Sequence, residues 1–175
     1  MKRILTTIVL AFVCVLSLAQ GRRINLLEKA EGQRISFKYT YYIDKGDGMK
    51  EVTRGEVTAE GNCFRLTGLG LKTWSDGTTC WMVDEEAKEV VIDAIAEEDV
   101  FSNPAIMVSS YRSFSDDIKV NKEGSDYLDF TLKLDDEVSL RFSLKGIRFS
   151  EPSGVEEFTF DTSALDSSYV ITDLR

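Results

Sequence analysis

Apolar and polar residues alternate with a period of two along most of this chain. Ile35, Phe37, Tyr39, Tyr41 and Ile43 point one way, and Ser36, Lys38, Thr40 and Tyr42 the other. Leu128, Phe130, Leu132 and Leu134 alternate with Asp129, Thr131 and Lys133, and Val138, Leu140, Phe142 and Leu144 with Ser139, Arg141 and Ser143. Successive side chains of a strand point to opposite faces, so each run predicts a strand with one apolar and one wet face. Turn-forming stretches separate the runs: Lys45-Gly46-Asp47-Gly48, Glu60-Gly61-Asn62, Ser75-Asp76-Gly77 and Leu134-Asp135-Asp136-Glu137. Connections this short make hairpins, not crossovers, and predict an antiparallel sheet. The pattern predicts about nine strands, at 35–43, 50–59, 62–68, 71–74, 78–84, 88–93, 127–134, 137–149 and 157–160. Tyr169-Val170-Ile171 is a further candidate.

Two stretches break the alternation. Asn25 to Ala30 follows Ile24 with helical spacing and predicts two short turns before Gly32. Ser102 to Tyr111 predicts a capped helix, with Asn103 as N-cap and Pro104 at the first helical position, where its missing N–H costs nothing. Met107, Tyr111 and Phe114 then share one side. So little helix must cover a long apolar sheet face. One solution is a half-open barrel whose apolar interior is partly empty, and a filled β-sandwich is the other.

The N-terminus changes the picture of where the protein works. Met1-Lys2-Arg3 is a basic start, followed by a short apolar run and the small residues Ser17 and Ala19. This predicts a secretory signal at 1–19, cleaved before Gln20, and a single domain at 20–175. Cys14 follows the bulky Val13 and sits inside the apolar run, so it does not read as a lipid attachment site. The expected product is exported and soluble outside the cytoplasm, with no stable membrane insertion. Loss of Lys2 and Arg3 takes the net charge from −9 to −11, which disfavours nucleic acid and anionic lipid as partners. Cys63 and Cys80 then remain, and a disulfide between them stays open. A strand at 71–74 between theirs would place them about 9–10 Å apart, beyond the 7 Å or so that a bridge tolerates.

The chain has no histidine, which removes Ser-His-Asp and Cys-His catalysis and the common zinc motifs. Cys63 and Cys80 form no CxxC pair. The acids cluster in turns such as Asp84-Glu85-Glu86 and Glu97-Glu98-Asp99, where solvation explains them better than glycoside hydrolysis does. Asp44-Lys45-Gly46-Asp47-Gly48 lacks oxygen ligands at two calcium-loop positions, and the lone Gly68-Leu69-Gly70 has no helix after it. No enzyme, metal or cofactor is expected. Trp74 and Trp81 flank Ser75-Asp76-Gly77 closely enough to belong to one hairpin, either as a cross-strand pair or as ligand contacts.

Gly55-Glu56-Val57, then Asn62-Cys63-Phe64-Arg65-Leu66, then Lys72-Thr73-Trp74-Ser75-Asp76-Gly77-Thr78-Thr79-Cys80-Trp81, then Glu89-Val90-Val91-Ile92 and Asn103-Pro104 follow one another in order. This succession resembles the periplasmic outer-membrane lipoprotein carriers (LolA-like proteins), in a divergent form similar to those of Bacteroidetes. The endings Glu157-Phe158-Thr159-Phe160-Asp161 and Val170 to Arg175 are also similar. The resemblance implies a mainly β fold: an unclosed antiparallel β-barrel, a strongly curled sheet, with a small helical lid. It further implies an apolar cavity for the acyl chains of lipoproteins or other lipid, an inner-membrane releasing complex and an outer-membrane acceptor. Two departures stand out. Ala59-Glu60-Gly61-Asn62 offers no arginine where the family carries a lid-latching one, and the stretch between Phe114 and Leu140 is shorter than the family's.

On that reading Phe64, Leu66, Leu128, Phe130, Leu132, Val138, Leu140 and Phe142 line the cavity, with Trp74 and Trp81 as further candidates. Ile106, Met107 and Tyr111 belong to the lid. Core packing explains the same residues equally well. The competing expectation is a secreted structural or interaction β-domain with a filled core and a protein partner.

Overall fold

The computed structural model describes residues 24–95 and 103–175. The predicted signal at 1–19, with Cys14, and the acidic Glu97-Glu98-Asp99 lie outside the described residues. The chain forms helix α1 (Asn25–Glu28) and strands β1 (Arg34–Asp44), β2 (Lys50–Glu60), β3 (Cys63–Gly68), β4 (Leu71–Ser75), β5 (Thr79–Asp84) and β6 (Glu89–Ala94). Helix α2 (Pro104–Ser109) and a 3-10 segment (Tyr111–Asp117) lead into β7 (Ile118–Glu123), β8 (Tyr127–Lys133) and β9 (Ser139–Ser150). Two further 3-10 turns (Val155–Phe158, Thr162–Ala164) precede β10 (Val170–Asp173).

All ten strands join one sheet in the order β10-β6-β5-β4-β3-β2-β1-β9-β8-β7. Its two edge strands, β7 and β10, do not pair, so the sheet is not closed. The fold is mainly β, as the alternation implied, and its sheet is open. The purely antiparallel expectation needs correction, because β10 runs parallel to β6, Val170 beside Glu89 and Asp173 beside Ile92. After β9 the chain crosses to the far edge, and a strand delivered by so long a connection is free to pair in parallel. Two more differences concern short elements. The strand expected at 157–160 is a 3-10 turn, closed by Glu157 N–H on the Gly154 carbonyl and Thr159 N–H on that of Glu156. Strand β7 went unpredicted because its alternation rests on Ile118 and Val120 alone.

Register defines two faces. Ile35, Phe37, Tyr39, Val57, Ala59, Phe64, Leu128, Phe130, Leu140 and Phe142 share the inner face and one buried cluster. Leu26 and Leu27 of α1 and Ala105, Met107 and Val108 of α2 belong to the same cluster, so the short helices pack on this face. Helices of four and six residues are not stable alone, and here their apolar sides are held by the sheet. Asn103 caps α2 as its sequence implied, its side-chain oxygen accepting from the amides of Ala105 (2.9 Å) and Ile106 (3.4 Å).

Gly55, part of the quoted Gly-Glu-Val run, has a packing reason to be glycine. A Cβ there would stand 1.7 Å from the Thr67 carbonyl oxygen and 3.0 Å from the Tyr39 ring. Tyr39 lies across this gap and donates its hydroxyl to that carbonyl at 3.0 Å. Any side chain at position 55 would break both the strand pairing and this contact.

Candidate functional site

The eight strand residues expected to line an apolar interior do come together. Phe64, Leu128, Phe130, Leu132, Leu140 and Phe142 are all at most 2% exposed in one cluster, and Leu66 and Val138 pack half-buried against it. Their centre is aromatic: Phe142 stacks on Tyr41 (centroids 4.9 Å) and on Phe130 (5.4 Å). Met107 and Tyr111 are buried in the same cluster, with Ile106 packed against it.

Trp74 and Trp81 are elsewhere. Phe64 pairs with Ser75, and Ser75 with Cys80, so these three share the inner face. Arg65, Trp74, Trp81 and Ile92 are register partners on the opposite face. There Trp81, Val83, Val90 and Ile92 form a second cluster, covered by Trp74, Phe160, Leu165 and Tyr169. Trp74 meets Phe160 at 4.8 Å between ring centroids. The tryptophans are therefore withdrawn from the inner lining and hold the C-terminal segment on the outer face. Alternation alone did not reveal this, because β5 has apolar residues on both faces, Trp81 and Val83 on one and Cys80 and Met82 on the other. The turn between β4 and β5 has its own chemistry: Asp76 Oδ1 accepts from the amides of Thr78 (2.9 Å) and Thr79 (2.8 Å) and from the Thr78 hydroxyl (2.8 Å). Burial pushes the Asp76 carboxyl up, but these bonds outweigh it and hold it below the usual range.

Neither Cys63 nor Cys80 takes part in a disulfide. They lie on opposite faces as well as two strands apart, since Cys63 precedes the inward Phe64 and Cys80 pairs with the inward Ser75. Burial, then the charges of Asp76 and Glu60, push the Cys63 thiol up, so it is a poor nucleophile.

An opening leads toward the inner face at the end of the sheet where β1 begins and β2 ends. This cleft of about 250 Å³ is walled by Leu27, Ala30, Ile35, Ala59, Val108 and Tyr111. Arg112 and Glu31 meet at its rim, 2.8 Å apart, with Glu28 at 3.9 Å from the same guanidinium. Apart from Tyr111, none of these wall residues was among the predicted lining. The signal was present in the spacing of Leu27 and Ala30 ahead of Ile35, the first inward residue of β1. A larger hollow of about 580 Å³ lies at the other end of the sheet, where the predicted lining residue Val138 and Ile118 meet Lys119 and Lys133 beneath a rim of Asp116, Asp117, Asp135, Asp136 and Glu137. Its acids suit water, not an acyl chain. Among the described residues no group of three or more His, Cys, Asp or Glu could hold a metal ion. No helix among them is long and apolar enough to cross a membrane.

No family model matches the chain, and no curated protein matches it. Among solved structures it is similar to an uncharacterized conserved protein from Thermus thermophilus, with 8% identity and a TM-score of 0.45 over 85% of this chain and 95% of that one. A likeness at that level carries no argument about function, and none of these comparisons supports the lipoprotein-carrier resemblance.

Proposed function

We propose that the protein is a periplasmic carrier of acylated or otherwise apolar cargo, lipoproteins among them, acting by shielding and without covalent chemistry. The observation that carries this reading is the apolar cleft between α1, α2 and the sheet. There the inner face meets solvent between the apolar side chains of Leu27, Ala30, Ile35, Ala59, Val108 and Tyr111.

Its size sets the mechanism. Ligand pockets usually run from about 300 to 1,000 Å³, so a cleft of about 250 Å³ admits only the end of a chain. A longer chain requires α2 and the following 3-10 segment to lift as a lid. Lifting exposes Met107, Val108 and Tyr111, at about 1.5–3 kcal/mol for each large side chain. Burying an acyl chain returns about 0.8 kcal/mol per methylene, so roughly ten methylenes offset the opening. Release is the reverse step, completed when an acceptor takes the chain.

The second reading, a filled interaction domain, is favoured by one observation: Phe64, Phe130 and Phe142 already fill the inner face at 2% exposure or less. Gentle purification from the periplasm of an expression host, followed by mass spectrometry of organic extracts and co-purifying proteins, separates the two. Near-stoichiometric acyl lipid or lipoprotein supports the carrier. Protein without lipid, joined by one reproducible non-lipidated partner, supports the filled domain.

A further inference from the structure

The outer face of β1 and β9 carries a feature unrelated to the apolar cleft. Their pairing shifts between Ser36 and Lys38: Ser36 faces Arg148 and Lys38 faces Lys145, leaving Phe37 opposite both Gly146 and Ile147. This is a bulge with glycine in the left-handed region, since Gly146 has φ +63. Ile147 turns inward to 5% exposure and donates its amide to the Asp126 carbonyl (2.8 Å), so Lys145 and Arg148 both remain outward. A hollow of about 280 Å³ results, and Ser36, Lys38, Thr58, Lys145 and Arg148 line it together with a single acid, Glu56.

The charges are arranged against the interest of the fold alone. Lys38 and Lys145 are direct cross-strand partners, and like charges so placed are destabilising. Glu56 answers Lys38 at 3.0 Å, but neither Lys145 nor Arg148 makes an ion pair among the described residues. Asp129, the other carboxylate nearby, is already held by Arg141 and Asn121. A hollow with three cations and one acid thus persists in a chain of net charge −9. Nothing within 4 Å would meet a Cβ on Gly146, so the floor of the hollow is open to close approach.

We propose that this bulge hollow is a binding site for a phosphate-type oxyanion, clasped by Lys145 and Arg148 with Lys38, Ser36 and Thr58 around it. Arg148 supplies a planar fork matched to two oxyanion oxygens, Lys145 a point charge, and the two hydroxyls are donors for the remaining oxygens. Glu56 opposes binding and limits its strength.

The test is an NMR titration of the purified protein with sodium phosphate against sodium chloride at matched ionic strength. Saturable shifts at the amides of Gly146 and Lys38 with phosphate alone are expected. Glu56→Gln should tighten binding about threefold, a gain that misfolding does not produce, and Lys145→Gln with Arg148→Gln should weaken it at least tenfold. Flotation with phosphatidylglycerol or phosphatidylcholine vesicles distinguishes the source. Wild-type flotation with phosphatidylglycerol alone, lost in the double variant, assigns the site to a lipid headgroup phosphate. Saturable phosphate shifts without flotation assign it to a free anion. Equal linear drift with both salts and no vesicle binding, or an unchanged affinity in Glu56→Gln, would overturn the site. None of these readouts depends on apolar cargo.

Discussion

On the inner face Phe130 and Phe142 are completely buried in the cluster that residues of the short helices α1 and α2 join, whereas on the outer face Trp81 keeps 8% exposure beneath the chain's own C-terminal residues. The inner cover is made of separate helical pieces with a cleft between them and the sheet. The outer cover is stitched to the sheet edge by main-chain bonds, Val170 N–H to the Lys88 carbonyl (2.9 Å) and Leu174 N–H to that of Ile92 (2.8 Å). Nearer β8 and β9 the outer face carries polar side chains held to one another. There Asp129 accepts from Asn121 (2.8 Å) and from Arg141 Nη2 (2.8 Å). One sheet thus buries apolar clusters on both faces under covers of different kinds, one fixed by backbone pairing and one held by side chains, and in the proposed carrier only the latter lifts.

The comparison breaks most severely at Phe130. Phe130→Ala removes a 0% exposed ring from the inner cluster and should cost about 3–5 kcal/mol in denaturant unfolding. On the outer face Trp81→Ala should cost about 2–3 kcal/mol, less because its ring lies nearer solvent. The distinguishing sign is local: hydrogen exchange at the Val170 and Leu174 amides accelerates in Trp81→Ala, while in Phe130→Ala it follows global unfolding. Equal local loosening in both would erase the proposed independence of the two covers.

Asp129→Asn sharpens the contrast by removing the polar device of the outer face, with an expected loss of about 1–2 kcal/mol at neutral pH. Burial pushes the Asp129 carboxyl up, but hydrogen bonds from Arg141 and Asn121 outweigh it and hold it below the usual range. A carboxyl depressed in the folded state contributes stability above its unfolded value near 4, and that contribution disappears as pH falls through the folded value. Wild type and Asp129→Asn should therefore differ at pH 7, with the gap starting to close near pH 4 and vanishing only below the folded value; a constant gap would contradict this role for Asp129. The smallest effect is expected at the cap of α2. Asn103→Ala should cost about 1 kcal/mol and speed exchange at the Met107 and Ser110 amides, which bond to the carbonyls of Asn103 and Ile106.

Much of this was legible in the sequence. Eight strands and the Asn103-capped helix follow from alternation and from the N-cap followed by proline, since those signals are local. The inner lining from Phe64 to Phe142 was legible because each of those strands has one polar face. Trp74 and Trp81 were misplaced as lining because β5 has apolar residues on both sides, Trp81 and Val83 on one and Cys80 and Met82 on the other, and only register with Phe64, Ser75 and Cys80 tells which side is which. Tyr169-Val170-Ile171 has strand composition, but the parallel direction of β10 depends on a crossover of the chain, which no local pattern encodes. The cleft walls at Leu27, Ala30, Ala59 and Val108 come from three separate elements and meet only in the fold.

The most direct test of the central claim is a fluorescence titration with an apolar naphthylamine probe, comparing wild type with Ala30→Trp. Ala30 is a half-buried wall of the cleft, so the larger ring obstructs entry without overpacking the core. A carrier of apolar cargo should show saturable uptake by wild type and at least a tenfold loss in Ala30→Trp at unchanged melting temperature. Absence of uptake by wild type, or equal uptake by both proteins, would contradict it.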